Sequence, residues 1–341
     1  MDKKPKRPIR LWLEALVVVG TAGLLGGAGW LAWESRAVEG AGSGIVLFEV
    51  EKGQSVRAVA DILKERGLIR KSAPLLVWYK LFYKSESIKA GEYALPAGRG
   101  AREVLETLLR GKIYLHPVTV AEGLTAAETV DVFLAASFGT PETFAAALAD
   151  TSEVALMDPK ADDLEGYLFP ETYRFPKGAT AAEILARMVS QFKDVFGPAA
   201  RARAAEIGMT PRQAVVLASL IEEETSLAVE KPLVSAVFHN RLKAGMKLEC
   251  DPTVIYALKR AGPFAGPLRK KDLKYESPYN TYLHQGLPPG PICNPGKDSL
   301  EAALHPAAAD FLFFVARKEG GHTFSRTLKE HLAAVRAYRG E

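Results

Sequence analysis

"TPRQAVVLASLIEEET", residues 210–225, is the most strongly helical stretch of the chain, and it ends in three consecutive glutamates. Thr210 stands where an N-cap belongs, Pro211 falls in the first turn, and Gln213 completes a capping box. At about 100° per residue, Arg212, Ser219 and Glu223 share one sector and form the expected polar face. Glu222 and Glu224 project about 100° to either side of Glu223. Glu222 then lies over Val215 and Ala218, and Glu224 over Leu217, Leu220 and Ile221. A carboxylic acid against apolar neighbours loses solvation of its charged form and keeps its proton near neutral pH. A general acid that protonates a leaving oxygen needs that condition. Helical phase sets Glu223 aside as solvent-facing and leaves Glu222 and Glu224 as equal candidates.

Working outward, the chain from "VTVAEGLTAAETVDVFLAAS" onward reads as helices separated by loops, with few long strands. "LEGYLFPETYRFP" (164–176) interrupts them with aromatic and proline residues and carries Glu165 and Glu171. Closer to the N-terminus, "IVLFEV" alternates as a strand does and "SVRAVADILKERGLI" repeats apolar residues at helical spacing, with Ser55 to cap that helix and Gly67 to end it. "LLVWYKLFYK" (75–84) is too aromatic to be solvated and is expected in a core or an interface.

Ala15 to Trp33 holds no charged residue. At about 1.5 Å per residue it is just long enough to cross a hydrocarbon core of about 30 Å. Trp12, Trp30 and Trp33 lie at its ends, where amphipathic rings favour headgroups. The preceding "MDKKPKRPIR" carries five basic residues and is expected to stay in the cytoplasm. A cleaved signal peptide competes with this reading, since "GAGSG" (40–44) would suit cleavage, but the length of the apolar run favours an uncleaved anchor.

The whole chain has 341 residues, 48% hydrophobic and 25% charged, with a net charge of +4. That composition fits an ordinary globular protein with room for two domains. With the basic excess concentrated at the N-terminus and no basic stripe elsewhere, no nucleic-acid partner is expected. The six histidines and the two cysteines, Cys250 and Cys293, form no HExxH or CxxC spacing, so neither a metal nor a cofactor is expected. Whether the cysteines pair cannot be read from their spacing.

"VEKGQSVRAVADILKERGLI" resembles the opening of a LysM module, a small fold that often binds N-acetylglucosamine-containing glycans. Further on, "SLIEEET", "VFHNRLKAGMKLECDPTVIYAL", "SPYNTYLHQGLPPGPICNPGKDSLEAALHP" and "FLFFVARKEGGHTFSRTLKEH" occur in this order. Together they resemble the YceG-like (MltG) family of endolytic murein transglycosylases from about Val46 to the C-terminus. The resemblance implies a single-pass membrane enzyme that cuts nascent peptidoglycan between MurNAc and GlcNAc and leaves 1,6-anhydro-MurNAc ends. It maps the catalytic glutamate onto Glu222 and the second acid of the ExE motif onto Glu224. It also implies that Glu165 lines the cleft and that Asn280, Tyr282 and Asn294 contact sugar or lactyl groups. Separately, "GGHTFS" (320–325) reads as a tight turn into a strand, which makes His322 a candidate either for substrate binding or for capping the turn. Arg241 and Asp251 are expected to pair, and His305, before Pro306, to mark a helix end.

The implied fold is α+β: an N-terminal single transmembrane helix, a small LysM-like α/β module and a larger mixed helical catalytic domain with short strands. The expected segments are a basic tail (1–10), the membrane helix (11–34), a linker (35–45), the LysM-like module (46–115) and the YceG-like catalytic domain (116–341). The catalytic domain is expected on the extracytoplasmic or periplasmic side of the cytoplasmic membrane. The resemblance also implies contact with peptidoglycan strands and with penicillin-binding proteins or other cell-wall synthases.

Overall fold

The computed structural model describes residues 9–38 and 44–340. Most of the expected basic tail (1–8) and residues 39–43 of the expected linker lie outside the described residues. The described residues form a mixed α+β fold with thirteen α-helices and three two-stranded sheets. Contacts divide the chain into two units, Met1–His116 and Pro117–Glu341.

The first unit begins with α1 (Ile9–Glu34), in which Leu11–Glu34 is long and apolar enough to cross a membrane by length and composition. Its apolar side chains, Leu16, Val19 and Leu24 among them, stand exposed. β1 (Ile45–Val50), α2 (Val56–Glu65), α3 (Ser72–Phe82), β2 (Gly91–Pro96) and α4 (Ala101–Leu109) follow. β1 and β2 pair antiparallel with Phe48 opposite Tyr93, and both side chains enter a core with Leu63, Leu75 and Leu105. Ser55 caps α2 by accepting from Ala58 N–H (3.2 Å), and Gly67 takes a left-handed φ of +68° just beyond its end. The aromatic stretch expected in a core or interface has two parts. Leu75 is buried, but Leu81 and Phe82 are 64% and 62% exposed.

β3 (Leu115–Thr119) leads into the second unit and pairs with β4 (Thr172–Pro176). Between them lie α5 (Ala126–Ala135) and α6 (Pro141–Leu148), and after them α7 (Ala181–Val195), α8 (Pro198–Glu206) and α9 (Pro211–Glu224). α10 (Lys231–Lys243), α11 (Asp251–Ala261), a 3-10 turn (Asp272–Lys274) and α12 (Lys297–Leu304) come next. A β5 (Phe313–Ala316) and β6 (His322–Ser325) hairpin and α13 (Leu328–Arg339) close the chain.

α9 is the centre of this unit, packed against α8, α10, α11 and α12. The expected capping box is present: Thr210 Oγ1 accepts from Gln213 N–H (3.2 Å) and Gln213 Oε1 from Thr210 N–H (2.8 Å). Of the expected polar face, Glu223 is exposed and Arg212 half-buried, but Ser219 is not at the surface. Ala214 through Ile221 are all buried, Ser219 included. A helix that is apolar on nearly every side is surrounded by protein. Ser219 meets the cost of burial by donating to Val216 O (2.7 Å) and accepting from Ile292 N–H (3.1 Å).

Candidate active site

α9 runs out of the core at its last turn, and its three glutamates meet three different surroundings. Glu222 faces Lys231 at the start of α10. Lys231 Nζ donates to Oε1 at 3.1 Å and Oε2 at 3.3 Å, and Gly296 N–H donates to Oε2 at 2.9 Å. The two side chains are only 8% and 4% exposed. The expected apolar setting over Val215 and Ala218 is therefore replaced by an ion pair, because the reversal from α9 to α10 brings a lysine nine residues away in sequence back against the carboxylate. A buried ion pair of this kind needs extra hydrogen bonds to offset desolvation, and the Gly296 N–H supplies one.

Glu122 approaches the same lysine, with Oε2 3.9 Å from Nζ. Its carboxylate lies directly against Gly296, where a Cβ would collide with it. Burial raises its pKa first, the Glu222 charge raises it further, and Lys231 opposes both. Two carboxylates thus share one ammonium.

Glu223 is exposed, as helical phase requires. Desolvation of its carboxyl still raises the pKa, against the Lys259 charge and the Cys293 thiol. Gly123, at φ +80°, passes close enough that a Cβ there would sit 3.0 Å from Glu223 Oε1. Glu224 is half-buried, and burial pushes its pKa up to about 7, opposed by a hydrogen bond from the Cys250 thiol. The cysteines thus lie beside different glutamates. Both are free and buried, and burial holds both thiols well above their ordinary range.

Glu165 accepts from Ala126 N–H (2.9 Å) and Tyr256 O–H (3.2 Å), and burial pushes its pKa up to about 8. It lines a cleft of about 330 Å³ with Glu128, Asp163, Tyr256, Lys259 and Arg260. Lys259, bonded to Glu128 at 2.8 Å, is also the cation that acts on Glu223.

The raised carboxyls have a consequence for stability. Glu165 and Glu224 both start from about 4.5 in the unfolded chain and are raised in the folded one. Between those values the folded state holds protons that the unfolded state has released, so stability falls as pH rises. The contribution is complete below about pH 4.5, and it declines towards about 7 for Glu224 and about 8 for Glu165. Urea midpoints measured from pH 5 to 8 should fall steadily, and Glu165→Gln should flatten the upper part of that decline. A midpoint that rises with pH would contradict the buried-carboxyl account.

The other expected substrate contacts are engaged within the chain. Asn294 is fully buried. Its Oδ1 accepts from Gly166 N–H and Leu168 N–H (both 3.0 Å), and its Nδ2 donates to Leu124 O (2.9 Å). It binds the 164–168 segment to the loop before α5 and has no polar atom free for a sugar. Asn280 is equally buried, donating to Leu273 O and Tyr275 O and accepting from Tyr282 N–H. Tyr282 is half-buried and donates to Asp251 Oδ1 (2.5 Å). His322 bonds Glu230 through its backbone N–H (2.9 Å) and Nδ1 (2.7 Å), which fastens the β5–β6 hairpin to the start of α10. The expected Arg241–Asp251 pair does not form. Arg241 instead binds the carbonyls of Leu248 and Leu312 and the Glu249 carboxylate (3.3 Å), while Asp251 holds Tyr282. His305 is the C-cap of α12, as Pro306 suggests.

Sequence reasoning missed Glu122 and Lys231. Glu122 lies in "VTVAEGLT", which reads only as the approach to a helix, and Lys231 reads only as a first-turn residue before Pro232. Nothing in their spacing announces that both converge on Glu222. Among the described residues, no group of three or more His, Cys, Asp and Glu side chains is placed to hold a metal ion.

Residues 48–337 match the model of the YceG-like family. A protein of Bacillus subtilis named endolytic murein transglycosylase is 33% identical over 308 residues, which cover 86% of this chain and 84% of that protein. A protein of the same name from Streptococcus pneumoniae D39 is 27% identical over 83% of this chain, but the match spans only 56% of its length. The crystal structure of a YceG-like protein from Listeria monocytogenes matches with a TM-score of 0.56 at 31% identity, covering 86% of this chain and 99% of that one.

Proposed function

The chain belongs to the YceG-like family, and from that premise we propose that it cleaves MurNAc–GlcNAc bonds within nascent peptidoglycan strands, with Glu222 as general acid and base. It is a lytic transglycosylase. The observation that carries the residue assignment is the placement of Glu222 between the buried Lys231 ammonium and the Gly296 N–H, with Glu122 on the same lysine.

Glu122 and Glu222 around one ammonium carry one negative charge in excess, and the Glu122 pKa is raised by burial first and by the Glu222 charge second. As general acid, the Glu222 carboxyl passes its proton to the glycosidic oxygen as the bond from the MurNAc anomeric carbon breaks. The 6-hydroxyl of the same MurNAc then bonds to that carbon and returns its proton to Glu222. No water is consumed, and the product carries a 1,6-anhydro ring. Lys231 and Gly296 N–H stabilise the carboxylate that exists between the two transfers. Because the nucleophile belongs to the substrate, no second carboxylate has to activate water as it does in a glycoside hydrolase. Glu224 and Glu165 are poor candidates for such a base, since burial keeps both protonated up to about pH 7 and about pH 8.

The strand–helix–helix–strand order of the first unit and its antiparallel β1–β2 pair support a LysM-like, glycan-binding role for residues 46–115. The apolar Leu11–Glu34 segment supports a single-pass anchor, and the basic N-terminus supports a cytoplasmic start with the enzyme outside. Contact with penicillin-binding proteins or other synthases of the same membrane follows if cutting is coupled to synthesis.

Digesting purified peptidoglycan with the full chain and weighing the fragments tests the reaction. Anhydro-ended fragments are expected. Reducing ends would identify a hydrolase instead, and intact glycan a binding protein.

A further inference from the structure

The end of α1 is built into the first unit. Lys71 Nζ bonds Glu34 Oε1 (2.6 Å), Trp78 Nε1 donates to Ser35 Oγ (2.9 Å), and Ala101 N–H donates to Ser35 O (3.0 Å). Gly100 lies so close to the Ser35 carbonyl that a Cβ there would collide with it. Trp30 and Trp33 stand exposed on this last part of α1, and the Arg36 guanidinium lies 4.7 Å from the Trp33 ring centre. These are the side chains that favour a headgroup layer.

α3 is tied to the same point through Trp78. The Phe82 ring lies 5.1 Å from that of Trp78, the residue bonded to Ser35. Leu81 and Phe82 are exposed apolar side chains, and exposed Lys80 and Lys84 flank them. An apolar pair bracketed by lysines matches an anionic bilayer surface, where apolar side chains enter the acyl boundary and ammonium groups meet phosphates. The ties at Glu34 and Ser35 hold this patch beside the place where α1 ends.

We propose that Leu81 and Phe82, between Lys80 and Lys84, insert into the headgroup region of the membrane that α1 crosses, so that the first unit rests on the lipid surface. This rests on the reading of α1 as a membrane span. The occupant of the patch is anionic lipid.

Spin labels on the full chain in vesicles of phosphatidylethanolamine and phosphatidylglycerol test it. Cys250 and Cys293 are buried and stay unlabelled, so single cysteines can be introduced at Leu81→Cys, Phe82→Cys, Leu24→Cys and Asp61→Cys. Leu81 and Phe82 tolerate the change because they are exposed. Labels at 81 and 82 should show an oxygen-to-nickel accessibility ratio several-fold above that at 61, which lies on the exposed side of α2, approaching the ratio at 24. Ratios at 81 and 82 equal to that at 61, with a lipid-like value at 24, would overturn the proposal and leave the span intact. A water-like value at 24 would overturn both. Labels at 81 and 82 that are immobilised and shielded from oxygen and nickel alike would assign the patch to a protein or a second copy, and overturn the lipid assignment.

Discussion

Glu222→Gln should lower strand cleavage by about 10²–10⁴-fold, the range that general acid–base catalysis contributes. Glutamine keeps the shape of the side chain and can still accept from Gly296 N–H, but it has no proton to deliver at neutral pH. The Lys231 ammonium would lose its nearer partner and retain Glu122, 3.9 Å away, as its counter-charge. Circular dichroism and glycan binding should therefore change little while turnover collapses. Glu223→Gln should be nearly silent, because Glu223 faces solvent beside Gly123 and takes no part in the Lys231 ion pair. Cleavage at the normal rate by the Glu222→Gln protein would show that the acid lies elsewhere. Loss of activity in Glu224→Gln alone would move the assignment to Glu224.

The largest expected loss of stability lies away from the glutamates. Asp158 is 1% exposed; it accepts from Tyr167 O–H (2.7 Å), forms a close ion pair with Arg212, and receives Lys160 N–H on its other oxygen (3.1 Å). Arg212 reaches on to the Pro289 carbonyl (3.0 Å), so this group also fixes the proline turn that follows the "SPYNTY" segment. Asp158→Ala would leave the Tyr167 phenol without its acceptor and the Arg212 guanidinium without its counter-charge, at a cost of about 3–5 kcal/mol. Urea denaturation of the full chain should report that loss. Replacing Arg212 as well, with methionine, should recover part of it, because the stranded charge is then gone. A single-variant loss below about 1 kcal/mol, the scale of an exposed pair, would mean that solvent substitutes for the carboxylate.

The mixed α+β architecture was legible where local chemistry is strong. Thr210 and Gln213 announce the start of α9, Ser55 and Gly67 bound α2, and the apolar run ending at Trp33 announces a helix long enough for a membrane. The exposure of Glu223 also follows from helical phase alone. The environments of Glu222 and Glu224 do not, because helical phase gives a direction and never says what stands in that direction. It placed both against apolar walls, and only Glu224 is held mainly by burial. Asn280 and Asn294 fall in motifs shared with a glycan-cutting family, yet their amides bind the chain itself, a use that no residue identity reveals.

The sequence by itself determined what depends on neighbours within a few residues: caps, helical phase, the apolar span, and the family likeness carried by "IEEET" and the motifs after it. The tertiary structure alone decided that Lys231, Glu122 and the Gly296 N–H gather at Glu222. That gathering joins residues from 122 to 296 through the packing of α9 between α10 and α12. Charge interactions depend on distance in space, and burial strengthens them wherever the fold happens to bring such groups together.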